Sequence, residues 1–491
     1  MPARIILVFL SALIVGCTGG REMFRTPLPL PPPVGTLSVS TIPGIKARID
    51  ALIADSLFPP SNIGISVTSL THGDQLYALN EHMLFNPASN QKLLTTCTAL
   101  SNLGTSYSFS TAVFADSARR LVVLKGYGDP LTSTGDLDSL AHIVAPLLSP
   151  AAPWRVAVDI SFFDDLPWGA GWTWDEEPEA YGMFLSPVTL NNNTITVRVL
   201  PAEQAGIAPI VSIDPPTSYV TVENTAVTVA DTPTVRMAIS RKWRERSNTI
   251  TVQGQIRLGG RARTGQLSLW KPELYAGSVF AERLRTWGVP VEDPVTVDTV
   301  TTTMVELQRF EHGIDTVMTF LNKVSDNLSA ECVLKTIAAE KYGTPGSAEA
   351  GRCLVNEFLT ACGVDTNRIS VADGSGLSRY NLTSAATIVR VLERVYKDTQ
   401  SFPLLYHALP IAGVDGTIES RMRGTLAAGN LRAKTGSLSA VSALSGYVLT
   451  LDGEMVAFSM LMQNFPGATR PYRMVQDAIG EYLAGLKRGD L

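Results

Sequence analysis

The chain has 491 residues, 45% of them hydrophobic and 17% charged, which suits a globular protein of two to four domains. A net charge of −5 and the lack of any long basic run give no electrostatic case for nucleic acid. The five histidines (His72, His82, His142, His312, His407) are scattered and make no metal-ligand spacing with the cysteines, so a zinc site is not expected.

The N-terminus reads as a targeting segment. Arg4 precedes an apolar run from Ile5 to Gly16, too short to span a bilayer comfortably. The run ends Ile14-Val15-Gly16-Cys17, which resembles a bacterial lipobox with Cys17 as the lipidated residue. An ordinary cleaved signal is the alternative, and either one exports the chain. Residues 18–42 follow as a tether, because Pro27, Pro29, Pro31, Pro32 and Pro33 favour extended polyproline geometry. Cys97, Cys332 and Cys353 fall on apolar helical patterns and Cys362 ends one, so all four read as small buried hydrophobes rather than a disulfide framework.

Ile45, Ile49, Leu52 and Ile53 predict an amphipathic helix, and Ile63, Ile65 and Val67 alternate as a strand. Thr71-His72-Gly73-Asp74 turns the chain into a second strand, Gln75 to Leu79. Asn86-Pro87-Ala88-Ser89-Asn90-Gln91-Lys92 then opens a helix. Pro87 suits the first turn, Leu93, Cys97 and Leu100 repeat at helical spacing, and Gly104 offers the stop. Ser89 and Lys92, three apart, share a face at that N-terminus, where backbone N–H groups favour developing negative charge. About two Ser-x-x-Lys matches arise by chance in a chain of this length. One is Ser268-Leu269-Trp270-Lys271, with Pro272 directly behind it.

From about 105 to 300 valine, threonine and proline dominate and helical patterns are scarce. Thr194 to Val199, Tyr219 to Glu223 and Thr249 to Ile256 alternate as strands. Gly126 to Pro130 is a turn cluster, and Gly171-Trp172-Thr173-Trp174-Asp175 begins an aromatic segment running to Tyr181. These features predict a β-rich insertion of one or two subdomains over 111–299, splitting a discontinuous domain of 43–110 and 300–491. Helical patterns then return around Ile314, Met318 and Leu321, around Leu334 and Ile337 with Ser329 as a cap, around Val355 and Leu359, and around Ile388 and Leu392. A strand over Leu431 to Leu438 and a hairpin turning at Asp452-Gly453 precede a terminal helix through Val475, Ile479, Tyr482 and Leu486.

Two later triplets give Ser89 partners: Ser325-Asp326-Asn327 in a loop between helices, and Lys434-Thr435-Gly436 on a strand, followed by Ser437. Ser-x-x-Lys, Ser-x-Asn and Lys-Thr-Gly in that order are the catalytic trio of penicillin-interacting enzymes. With Asp373 to Arg379, Ala412 to Thr417 and Arg432 to Leu438, the chain from about residue 43 onward resembles the class C low-mass penicillin-binding proteins. These are D-Ala-D-Ala carboxypeptidase/endopeptidases of peptidase family S13. The resemblance implies an α/β (α+β) transpeptidase-like fold, an antiparallel sheet flanked by helices, carrying the large β-rich insertion.

A serine hydroxyl needs an adjacent base, and in the absence of a histidine motif Lys92 is the candidate, provided that burial or a second cation lowers its pKa. Lys434 is the candidate second cation. The resemblance implies that Ser89 attacks the penultimate D-Ala of peptidoglycan stem peptides, and that β-lactams acylate it. It also implies that Ser325 relays a proton and Asn327 holds the substrate amide. Backbone N–H groups of Ser89 and Ser437 would form the oxyanion hole, and Lys434, Thr435 and Ser437 would bind the terminal carboxylate. Arg379, with Asp175 or Glu176, could meet a zwitterionic side chain. The implied setting is periplasmic, with the membrane reached only through Cys17. A β-lactamase shares most of these residues, but the long insertion and Ser-x-Asn in place of Tyr-x-Asn speak against it. A silent wall-binding scaffold would not need the intact trio.

Overall fold

The computed structural model describes residues 43–54 and 61–490. The signal segment, the tether and Cys17 lie outside the described residues.

The frame of the molecule is a five-stranded antiparallel sheet in the order Arg432–Leu438, Val441–Leu449, Met455–Gln463, Asn62–Ser69, Gln75–Leu79. Its central strands read as continuous apolar runs because helices cover both faces. Successive side chains point to opposite faces. Leu444, Val448, Phe458 and Met460 pack beneath helices Pro43–Ile53 and Arg470–Ala484. Ala443, Tyr447, Ala457 and Leu461 face the larger helical layer, which includes Gln91–Leu103, Ile314–Lys323, Asn327–Tyr342, Ala348–Ala361 and Ala385–Tyr396. The last of these shows how its sequence makes it. Ser384 caps it by accepting from the Thr387 N–H, and Ile388, Leu392 and Val395 form the buried stripe. Tyr447 is fully buried, and its hydroxyl donates to the Leu392 carbonyl at 2.8 Å, which ties sheet to helix without leaving a polar orphan.

The β-rich expectation for the middle of the chain holds, with two helices added. A second five-stranded sheet runs Thr296–Val297, Arg155–Asp159, Leu121–Gly126, Ser108–Asp116, Val305–Gly313. Smaller sheets of three, three and two strands accompany it. Helices Thr134–Val144 and Pro272–Thr286 share one core with the second sheet. Both had start signals: a capping box between Ser133 and Asp136, and Pro272 in the first turn. The outer strand pair of the second sheet begins before 111 and ends after 299. Ser108 pairs with Gly313, so the chain enters and leaves the second sheet side by side.

Three local expectations change. The helix expected to start at Ser329 starts at Asn327, because Asp326 supplies the cap and accepts from the Ser329 N–H at 2.6 Å. Cys353 is exposed and Cys362 half-buried rather than buried, and all four described cysteines are free. The hairpin at Asp452-Gly453 forms, but its strands stop at Leu449 and resume at Met455. No helix among the described residues is long and apolar enough to cross a membrane.

Candidate active site

Ser89 lies in a single 3-10 turn, Ala88–Asn90, that runs straight into helix Gln91–Leu103. The entry is sterically unusual. Ala88 has φ +45°, a left-handed conformation held by its N–H donating to Asn86 Oδ1 at 2.8 Å. Two glycines let other segments close on this turn. A Cβ on Gly376 would meet the Ala88 carbonyl oxygen at 1.9 Å, and one on Gly436 would meet that of Pro87 at 2.6 Å. The turn is thus wedged between the Asp373–Arg379 loop and the Lys434 strand, and Ser89 stays half-buried at the cleft.

Lys92, one turn on, is fully buried. Its Nζ lies 3.1 Å from Ser89 Oγ and donates to Asn327 Oδ1 and to the Ser375 carbonyl, both at 2.6 Å. Burial pulls its pKa down to about 8, against the pull of Asp373, Asp326 and Glu331, which favour the charged form. Lys434 is fully buried as well, and its Nζ donates to Ser325 Oγ at 2.8 Å and to the Thr435 carbonyl at 2.9 Å. Burial first, and then the charge of Lys92, hold its pKa well below 10.5. Ser325 has φ +65°, a second left-handed residue, and this turn places its hydroxyl over Lys434 while Asp326 caps the following helix.

The insertion grips this loop from the other side. Asn192 Nδ2 donates to Asp326 Oδ1 at 2.8 Å, and Asn327 Nδ2 donates to the Tyr181 carbonyl at 2.9 Å. Asn327 is therefore fixed at both ends of its amide and keeps its second Nδ2 hydrogen for another acceptor. Trp172 Nε1 donates to Asp373 Oδ2 at 2.9 Å, and Gly171 packs against Tyr380 so closely that a Cβ there would overlap the ring.

Two buried acids, neither assigned a role from the sequence, hold Lys92 in place. Glu331 accepts from the Gly374 and Ser375 N–H groups at 3.0 and 2.8 Å, which orients the Ser375 carbonyl toward Lys92. Burial and the nearby Asp373 push Glu331 up to about 7. Asp373 accepts from the Gly376 and Ser378 N–H groups at 2.8 and 2.7 Å. A signal for Glu331 was available: it stands one helical turn after Asn327, where an acid on an otherwise apolar face needs a partner.

Toward solvent, Thr435 Oγ1 donates to Thr417 Oγ1 at 2.8 Å, and Arg473 donates to Ser437 Oγ at 3.1 Å. Thr417 ends the Ala412 to Thr417 stretch but was given no role in the sequence, and Arg473, from the terminal helix far along the chain, was not singled out. Arg379 donates to the Ser439 carbonyl at 3.0 Å, just past the end of the Lys434 strand. It makes no ion pair within 4.0 Å with Asp175 or Glu176. Burial raises the pKa of Glu176. The chance match at Ser268 ends a strand, with Lys271 capping the next helix, and has no part in the cleft.

A hydroxyl beside an amine that burial can neutralise is equipped for acyl transfer through serine, with lysine taking the place of histidine. Fold and site together are those of a serine hydrolase, with a buried lysine beside the serine. Residues 45–485 match the D-Ala-D-Ala carboxypeptidase 3 (S13) family. The D-alanyl-D-alanine carboxypeptidase of Actinomadura sp. (strain R39) is 34% identical over 478 residues, covering 92% of this chain and 87% of that protein. The D-alanyl-D-alanine carboxypeptidase DacB of Haemophilus influenzae is 25% identical over 414 residues, covering 82% and 86%. The crystal structure of penicillin binding protein 4 (dacB) from Haemophilus influenzae shares the fold, with a TM-score of 0.77 at 22% identity, over 90% of this chain and 99% of that one. The chain belongs to the S13 family and is a serine-type D-Ala-D-Ala carboxypeptidase.

Proposed function

We propose that Ser89 is the nucleophile and Lys92 its base, acting on peptidoglycan stem peptides. The observation that carries this reading is the fully buried Lys92 Nζ at 3.1 Å from Ser89 Oγ, with its pKa drawn down to about 8. Ser89 Oγ attacks the carbonyl of the penultimate D-Ala, and its proton passes to neutral Lys92. Backbone N–H groups of Ser89 and Ser437 stabilise the oxyanion, each worth roughly 3–4 kcal/mol. The leaving amine, from a terminal D-Ala or from a cross-link in endopeptidase action, takes its proton through Ser325, which Lys434 holds by a 2.8 Å hydrogen bond. Water then frees the acyl group. Asn327 offers its spare amide hydrogen to the substrate, while Lys434, Thr435 and Ser437, with Arg473 beside Ser437, bind the terminal carboxylate.

A β-lactam reacts at the same serine, since its strained amide follows the same path. A complex of the Haemophilus influenzae penicillin binding protein 4 with a β-lactam has been solved. Labelled penicillin should mark the wild type covalently and leave Ser89→Ala unmarked, while mass analysis of digested muropeptides shows loss of D-Ala. Equal marking of Ser89→Ala overturns the assignment. Arg379 with Asp175 or Glu176 receives a zwitterionic third-residue side chain. Arg379→Ala should then cost about tenfold in kcat/KM on such a peptide and little on one with a neutral side chain. An equal loss on both peptides removes Arg379 from substrate selection. The chain works in the periplasm, tethered through a lipid on Cys17. Radiolabelled palmitate should enter the wild type and not Cys17→Ala.

A further inference from the structure

A left-handed turn of three consecutive asparagines in the insertion faces the Ser325-Asp326-Asn327 loop. Asn191, Asn192 and Asn193 have φ of +47°, +57° and +56°. Asparagine tolerates that conformation singly, but a run of three is strained and persists only where its surroundings fix it. The two outer asparagines supply the fixing. Asn191 Oδ1 accepts from the Thr134 N–H at 3.2 Å, and its Nδ2 donates to Thr134 Oγ1 at 2.8 Å. Asn193 is fully buried, accepts from the Leu190 N–H at 3.1 Å and donates to the Phe184 carbonyl at 2.9 Å. Both of these amides are engaged inside the insertion. Asn192, between them, makes no side-chain hydrogen bond within the insertion among the described residues, and its Nδ2 reaches out to Asp326 Oδ1 at 2.8 Å.

The receiving end is equally constrained. Asp326 stands between Ser325, which Lys434 holds, and Asn327, which accepts from Lys92. Its Oδ2 is taken by the N–H and the hydroxyl of Ser329, both at 2.6 Å. Its Oδ1 accepts only from Asn192 among the described residues. Ser325 is itself left-handed, at φ +65°. The bond therefore joins two strained turns, one in the insertion and one in the cleft. Held through Oδ2 alone, the carboxylate could pivot about its helix cap. A second donor at Oδ1 stops that pivot and steadies the residues on either side.

We propose that Asn192 is a positioning residue for acyl transfer: through Asp326 it keeps the Ser325 hydroxyl over Lys434 and the Asn327 amide against Lys92. It touches no reacting atom. The proposal rests on the reading of Ser89 as nucleophile and Ser325 as proton relay, and it gives the insertion a part in the rate of the reaction.

The test uses the full chain and labelled penicillin, with saturation kinetics separating the dissociation constant of the first complex from the first-order rate of acylation. Asn192→Gly is the informative variant, because glycine adopts φ +57° without a Cβ penalty and so keeps the turn while removing the amide. It should lower the acylation rate about tenfold, leave the dissociation constant within about threefold, and unfold close to the wild-type temperature. Asn192→Ala, which removes the amide and strains the turn, should match that rate loss with a lower unfolding temperature. Asp326→Ser keeps a helix cap but cannot reach Asn192. Added to it, Asn192→Gly should cost no more than about a further twofold, because the two residues act as one unit. A wild-type rate in Asn192→Gly overturns the proposal and leaves Asn192 a shaper of the turn only. So does a loss confined to the dissociation constant, or a full further loss in the Asp326→Ser background. If Asn192→Gly also unfolds early, the Asp326→Ser background decides between the two outcomes. If wild type takes no penicillin at Ser89, the nucleophile reading fails and this proposal with it.

Discussion

The cleft and its flank each bury two lysines, and they treat them in opposite ways. On the flank, Lys323 Nζ meets both carboxylate oxygens of Asp415 at 2.7 and 2.6 Å, and Lys335 Nζ meets Asp164 at 2.5 Å. In the cleft, Lys92 and Lys434 bond only hydroxyl, amide and carbonyl oxygens, and neither joins an ion pair among the described residues. A buried ammonium without a contacting carboxylate drifts toward neutrality, which suits a base. One with a contacting carboxylate has an opposing pull: burial draws Lys323 down to about 8 as well, but Asp415 favours its charged form and the pair pins two segments together. Burial marks a lysine as costly, and its partner shows whether that cost serves the fold or the chemistry.

The sharpest way to break this comparison is to remove one lysine from each place. Lys92→Met should slow acylation by labelled penicillin by about 10²–10⁴, the usual contribution of general-base catalysis. Its thermal unfolding should change less than that of Lys323→Met. The latter leaves Asp415 buried without its cation and should lose about 3–5 kcal/mol in denaturant titrations. Because Asp415 also accepts from the Ile411 N–H at 2.8 Å, the damage should centre on the turn before the Lys434 strand. Equal destabilisation by the two variants, with equal effects on acylation, would erase the distinction between cleft and flank.

The difference also explains what could be read from the chain in advance. Ser89 and Lys92 were legible because helical spacing puts them on one face, and single strands and helices were legible from apolar periodicity, while their assembly into one antiparallel sheet flanked by helices came from the resemblance. Ser325 and Lys434 were placed by motif order, a resemblance rather than a derivation. Nothing local in the sequence announces the left-handed turns at Ala88 and Ser325, because both depend on neighbours that arrive from distant segments. Arg473, Thr417 and Tyr181 were missed for the same reason: their link to the site is tertiary, through one hydrogen bond each. Helix Pro272–Thr286 was lost in a valine- and threonine-rich texture although its start signal was present. Cys353 was misjudged because an apolar helical pattern does not say which flank of the stripe faces solvent.

A finer test asks which charges set the Lys92 proton. The groups facing it are Asp326, Glu331 and Asp373, all of which hold its pKa up, while Lys434 is the neighbouring cation. Below about 8 Lys92 carries its proton and cannot accept that of Ser89, so acylation should fall about tenfold per pH unit on the acid side and level off above. Stability follows the same group. Between about 8 and 10.5 the unfolded chain holds the Lys92 proton and the folded chain does not, so this lysine makes the fold more stable as pH rises through that window. Glu331→Gln keeps an oxygen for the Gly374 and Ser375 N–H groups but removes a negative charge that favours protonated Lys92. The rising limb of the acylation profile should move to lower pH by up to about one unit, while the plateau rate stays within a few-fold of wild type. A variant with a lowered plateau and an unmoved midpoint would show that Glu331 only orients the Ser375 carbonyl, and that burial alone sets the base.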